Sequence, residues 1–299
     1  MKVRPHISGG LAIGYKERIF MYPYKLCLGV TDSLGLEIVD QIGKFSDAGF
    51  YGFFTDWTEK SDIKSIKSFA REIGMYYQSL HAPFTMMADI WQDGEKADKA
   101  VETLCACLRD CAENEIDTMV THAFIGFEDH NPTPEGIENF SRVIIEAEKL
   151  GVKIALENTE GEEYLHALME VFKGSKSVGF CFDSGHELCY NRGEDMLALY
   201  GERLFATHFN DNLGISSHDG SITWTDDLHL LPFDGIADWN GIAKRIKISG
   251  YEGPLTFELL RKSKPGRHDN DKYMRMTADE YIAEAYARAC RFAAILKKK

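Results

Sequence analysis

Long apolar runs are missing from this sequence. Nothing in its 299 residues approaches the ~20 apolar residues of a membrane span, which argues against a membrane partner. The first stretch, MKVRPHISGGLAIGYKERIF, has basic side chains but no sustained apolar region. No secretory leader is therefore expected, and the cytoplasm is the expected location. Positive charge is also scarce. The 34 Lys and Arg against 47 Asp and Glu leave a net charge of −13. That balance argues against nucleic acid or an anionic surface as a partner. Seven cysteines are present, but none is paired as Cys-x-x-Cys, so no structural zinc site is indicated. Cys105, Cys107 and Cys111 share one helical pattern, and Cys27 and Cys181 sit in strand-like runs, as reduced and mostly buried thiols would. No Gly-x-Gly-x-x-Gly follows the first strand-like run, which removes the usual mark of a dinucleotide-binding sheet.

What is present is a strand–helix rhythm. Strand-like runs at 24–32, 50–57, 75–84, 117–124, 152–159, 178–186, 203–211 and 254–260 alternate with helical patterns. The helical patterns lie at 34–49, 60–73, 95–114, 134–150, 162–173, 194–200, 238–249 and 277–296. Leu36, Val39, Ile42 and Phe45 repeat at helical spacing in the first. Pro134 marks a helix start and Gly151 a helix stop. Alternation of this kind implies a parallel sheet with right-handed crossovers. Eight units favour a closed α/β barrel, the (β/α)8 TIM barrel. Residues 1–23 read as an N-terminal extension, and 24–299 as a single barrel domain. The rhythm breaks at 212–236, a long loop that holds Trp224, Asp227, His229, Pro232 and Asp234. Loops of that length in a compact domain are usually functional.

Four apolar runs end on a charged or ligating residue: Glu157, Asp183, His208 and Glu258. A barrel gathers the C-terminal ends of its strands into one mouth, where active sites form. The other polar residues at those ends are His81, His122, His186 and Asp211. Carboxylates and imidazoles converging there would repel or desolvate badly without a cation. A divalent metal on Glu157, Asp183, His208 and Glu258 resolves this. Three oxygens and one nitrogen suit Mn²⁺, Mg²⁺, Co²⁺ or Zn²⁺. His81 and His122 read as substrate contacts or extra ligands, or else as hydrogen-bonded core histidines. The basic loop after the last strand carries Arg261, Lys262, Lys264 and Arg267. It reads as a grip on a substrate phosphate or carboxylate, or as a solvated turn. Trp91, Phe124, Phe127 and Trp224 lie in mouth loops and read as an apolar wall for one face of a sugar, or simply as loop packing.

The segments LHAPF (80–84), ALENTEGE (155–162), CFDSGHE (181–187), HFNDN (208–212), HLLPFDGIADW (229–239) and GYEGPLTFEL (250–259) resemble the xylose isomerase-like barrel superfamily. The resemblance covers roughly residues 24–296 and implies sugar phosphate isomerase or epimerase chemistry, with ketose 3-epimerases, inosose isomerases and dehydratases, and endonuclease IV as relatives. It implies the same metal ligands, Glu157, Asp183, His208 and Glu258, and substrate contacts at His186 and Glu163. Gly214 stands where ketose 3-epimerases carry an arginine, and Phe233 where a glycine is common. The three-zinc pattern of endonuclease IV can also be read, with His81 and His122 for one ion and His186, Asp227 and His229 for another.

The expected function is a divalent-metal-dependent isomerase or epimerase of a sugar, sugar phosphate or cyclitol. Glu157 and Glu258 would remove and return a carbon-bound proton, and His81, His122, Glu163, His186, His229, Trp224 and Arg261 would contact substrate. The alternatives are a lyase of the same fold, an abasic-site phosphodiesterase, and a non-catalytic sugar-binding barrel. The expected partner is a small carbohydrate, and a homo-oligomer is compatible with such a barrel.

Overall fold

The computed structural model describes residues 24–128 and 131–298. The extension expected over 1–23 lies outside the described residues. Eight parallel strands form the barrel: β1 (Leu26–Gly29), β2 (Gly52–Asp56), β3 (Tyr76–His81), β4 (Thr118–His122), β5 (Lys153–Glu157), β6 (Val178–Asp183), β7 (Leu204–His208) and β8 (Leu255–Phe257). Around them lie α1 (Ile38–Ala48), α2 (Ile63–Glu72), α3 (Glu95–Glu113), α4 (Pro134–Leu150), α5 (Glu162–Val171), α6 (His186–Cys189), α7 (Met196–Tyr200), α8 (Trp239–Ser249) and α9 (Ala278–Lys297). Asp62, Thr133, Asp195, Asp238 and Thr277 supply side-chain caps to α2, α4, α7, α8 and α9. Thr133 accepts from Gly136 N at 3.1 Å with Pro134 beside it. Thr277 and Glu280 cap α9 reciprocally. Gly151 ends α4 in the left-handed conformation.

Pairing runs β7-β6-β5-β4-β3-β2-β1-β8, so the ring has one seam, between β7 and β8. The seam is joined by Phe209 N to Thr256 O at 2.8 Å and Glu258 N to Phe209 O at 3.2 Å. Thr207 Oγ1 accepts from Thr256 N at 3.0 Å, so a side chain supplies a rung that backbone supplies elsewhere. The register also shifts once in the β2–β3 ladder, at Phe53/Phe54, and once in β6–β7, at Phe180/Cys181, whereas β4 and β5 pair residue for residue from Thr118–Lys153 to His122–Glu157.

The barrel follows the expected α/β alternation, but the strands are shorter than their apolar runs. The sixth ends at Asp183, and His186 opens a one-turn helix instead of closing the strand. The cause is local. Asp183 Oδ1 accepts from Gly185 N at 2.8 Å and His186 N at 2.7 Å, which turns the chain out of the sheet. All seven cysteines are free, six of them buried. No helix among the described residues is long and apolar enough to cross a membrane.

Candidate metal centre

Four adjacent strand ends converge. Glu157, Asp183 and His208 are the last residues of β5, β6 and β7, and Glu258 follows β8 directly. One ligating atom from each lies within 4.8 Å of the others. His208 Nδ1 is the hub, 3.0 Å from Glu157 Oε1 and 3.0 Å from Glu258 Oε2. One ring nitrogen carries at most one proton, so it cannot satisfy two carboxylates. Among the described residues, no Lys or Arg pairs with Glu157, Asp183 or Glu258. Three carboxylates so placed, with an imidazole among them, fit a divalent cation by charge and by donor type. The protein's own groups divide the charge unevenly. Burial raises Asp183 to about 6. Glu258 feels burial too, but His208 and His229 outweigh it and lower its carboxyl to about 2.

Two further donor sets flank this centre. His81 and His122, from the ends of β3 and β4, face the second oxygen of Glu157. His81 Nδ1 lies 2.9 Å from the Ala82 carbonyl, an acceptor, so that nitrogen carries the proton. Its Nε2 then presents a lone pair to Glu157 Oε2 at 3.2 Å, an arrangement that calls for a second proton or a metal between them. His122 Nε2 lies 3.7 Å from the same oxygen, and burial lowers its ring to about 3, so it stands neutral. The third set is His186, Asp227 and His229. His229 Nδ1 donates to the Glu258 carbonyl at 3.1 Å, which aims Nε2 at Asp227 Oδ1, 2.8 Å away. His186 Nε2 lies 3.3 Å from that oxygen. Burial opposes a charge on His229, but Asp227 and Glu258 prevail and raise it to about 9.

These side chains are held from behind. Asp183 Oδ2 accepts from Asn210 Nδ2 at 2.7 Å. Asn158, in the ENT segment, ties Asp183 through both backbone atoms, accepting from its N at 2.7 Å and donating to its O at 2.9 Å. Such partners fix ligand orientation before any ion arrives.

Glu157, Glu258 and the flanking sets open into a cavity of about 410 Å³, of small-molecule size. Of the expected substrate contacts, His81, His122, His186, His229 and Trp224 line it. Phe84, Phe127 and Tyr190 add aromatic wall, with the Phe84 ring stacked on His122 at 4.6 Å. Two expected contacts lie elsewhere. Glu163 sits in the first turn of α5 and does not line the cavity; Glu160, three residues earlier, does. The Arg261 guanidinium donates to the carbonyls of Tyr273 at 3.4 Å and Met276 at 2.5 Å, holding the chain ahead of α9. Asp211 also turns from the mouth, accepting from Trp239 Nε1 at 2.9 Å and Ala237 N at 3.0 Å. Asp56 is a further acidic strand end at the mouth: it ends β2 as His81 ends β3, and it lines the cavity.

The chain as a whole resembles known proteins. The curated protein y4fM of Sinorhizobium fredii is 36% identical over 146 residues, 47% of this chain. The match spans 40% of that relative's length. Among solved structures, the IolI protein with a bound zinc atom superposes with a TM-score of 0.72 at 16% identity, over 92% of this chain and all of the other. D-allulose 3-epimerase from Methylomonas sp., in complex with D-allulose, gives 0.65 at 15% identity, over 91% of this chain and 98% of the other. The xylose isomerase-like TIM barrel model matches residues 35–287, nearly the whole of the barrel described above, and the chain belongs to that family.

Proposed function

We propose that this barrel is a divalent-metal-dependent isomerase or epimerase of a small, unphosphorylated sugar or cyclitol. The observation that carries the reading is the four-donor cluster on one side of a small aromatic-walled cavity. Structural likeness to an epimerase seen with its sugar, and to a zinc-holding barrel, agrees with it. Among the described residues Lys264 is the single Lys or Arg lining the cavity, and it is paired with Asp227, which leaves little to grip a phosphate.

Glu157, Asp183, His208 and Glu258 would hold the ion. Bound there, it would act as a Lewis acid on adjacent substrate oxygens and so acidify the neighbouring C–H. The protein's own groups do the rest. Phe84, Phe127, Tyr190 and Trp224 would pack the apolar faces of the ring and exclude water. Glu258, whose side chain is 27% exposed, is placed to take the proton from carbon. Glu157 is 1% exposed with an oxygen on each of His208 and His81, so its share in returning the proton would run along that hydrogen-bonded chain. The test is solvent deuterium exchange into candidate ketoses and inososes with Mn²⁺ or Zn²⁺ present. Wild type is expected to exchange one carbon-bound position, and Glu258→Gln to lose it by about 100-fold or more. Full exchange in Glu258→Gln would overturn the assignment. A product lighter by one water would point to the lyase.

A second reading has an observation of its own. The three donor sets that meet at or flank Glu157 could serve phosphodiester hydrolysis with several zinc ions. It predicts about three zincs per chain and nicking of an abasic duplex. The net charge of −13 weighs against a polyanionic substrate.

A further inference from the structure

Asp227 is shared between two kinds of cation partner. His229 Nε2 reaches both of its oxygens, Oδ1 at 2.8 Å and Oδ2 at 2.9 Å, and His186 Nε2 lies 3.3 Å from Oδ1. Asp227 Oδ2 accepts from Lys264 Nζ at 3.1 Å. The ammonium also lies 5.9 Å from the centre of the Trp224 ring, so one side of it is covered by an aromatic face. Its arrival is dictated by the loop after β8. Arg267 donates to Asp226 Oδ1 at 2.7 Å, and Asn270 Nδ2 donates to the carbonyls of Leu228 at 3.1 Å and Leu260 at 2.7 Å. These bonds pin the Lys264 loop to the segment that carries Asp227 and His229.

Two histidines and a carboxylate with an open side toward a cavity are a complete protein contribution to a zinc site. Within this set Asp227 Oδ1 is buried without a well-formed hydrogen bond, as a ligating atom awaiting a cation would be. A dication on Oδ1 would sit close to the ammonium on Oδ2 of the same carboxylate, and like charges there disfavour one another. We propose that Lys264 is a built-in cation for the His186–Asp227–His229 set, and that it competes with a metal ion for Asp227. The chain thereby keeps this set low in metal while the four-donor centre, with which no Lys or Arg among the described residues pairs, is left to fill. The inference concerns metal number and stands apart from the carbohydrate reading.

The experiment is a zinc count by elemental analysis on the full-length chain after gel filtration, with chelator-competition affinities, for wild type, Lys264→Met and Lys264→Arg. Met keeps the aliphatic stem without the charge; Arg keeps the charge. Lys264→Met is expected to hold one more zinc per chain than wild type, bound roughly 10- to 100-fold more tightly than wild type binds zinc at that site. Lys264→Arg is expected to match wild type. Equal zinc counts and affinities in wild type and Lys264→Met overturn the proposal. The quantity read is a difference, so it holds its meaning even if the chain proves inactive on every sugar. Should Lys264→Met fail to fold, amine acetylation of wild type decides. Excess zinc is expected to expose Lys264 to acetylation relative to Lys262, and unchanged labelling overturns the proposal.

Discussion

Asn210 shows how far the site depends on residues that never meet a ligand. Its amide holds Asp183 Oδ2 at 2.7 Å, and a Cβ on Gly185 would run into its Oδ1. Asn210→Ala is expected to leave the barrel folded but to weaken zinc binding by roughly 10- to 100-fold, read by chelator competition. Unchanged affinity would show that the backbone donors of Gly185 and His186 suffice. Phe233 is a second informative residue. Its φ of +72° lies in the left-handed region, while its ring packs on Trp239 and under the Arg291 guanidinium, 3.8 Å from the ring centre. Phe233→Ala would keep the backbone strain and lose the packing. Phe233→Gly would lose both, and is expected to exceed the alanine variant in stability by about 1 kcal/mol. Thermal or urea melts of the pair check this. At this scale the sequence was readable where chemistry coincides with a strand end, as for Glu157, Asp183, His208 and Glu258. It misled where a side chain's target is set by a turn. Arg261 looked like an anion grip, but its partners are carbonyls 12 and 15 residues onward.

Among elements, the long loop after β7 is irregular yet tied down by ion pairs. Asp226 is fully buried and bonded to Arg267, Asp227 is bonded to Lys264, and Asp234 is bonded to Lys272 and Arg288. Removing Arg267 strands a buried carboxylate. Arg267→Ala is expected to cost about 2–3 kcal/mol, less than the ~3–5 of a wholly buried pair because the guanidinium is partly exposed. A cost within about 0.5 kcal/mol, the range of an ordinary surface change, would show the clamp to be incidental. Asp234 gives a pH signature. Burial acts to raise its carboxyl, but Tyr273, Lys272 and Arg288 outweigh it and hold it below its ordinary value. A depressed carboxylate stabilises the fold above its unfolded pKa of ~3.9, and that contribution is lost as pH falls through the folded value. The stability gap between wild type and Asp234→Asn is therefore expected to be full near pH 6 and to shrink below about pH 4. A gap that does not change with pH contradicts it. The eight alternations were legible because each is local. The clamp was not, because Arg267 and Asp226 are 41 positions apart and a basic loop looks the same in sequence whether it faces water or a carboxylate.

For the whole molecule, the seam between β7 and β8 has a consequence for dynamics. β8 is three residues long, and one of the rungs joining it to β7 ends on a threonine hydroxyl. This is the place where the ring would open first. His208 and Glu258, 3.0 Å apart, are the C-terminal edges of that same join. An ion gripped by both would act as a clasp, and its binding energy would add to the work of parting the strands; at 100 times its Kd it would contribute about 2.7 kcal/mol. Chelation is therefore expected to speed amide hydrogen exchange at 204–209 and 255–258, and to leave the regular β4–β5 ladder nearly as protected as before. Uniform loosening, or none, would contradict it. On this view the ligand set proposed for chemistry would also close the hoop, and a chain starved of metal would breathe along one line of the barrel.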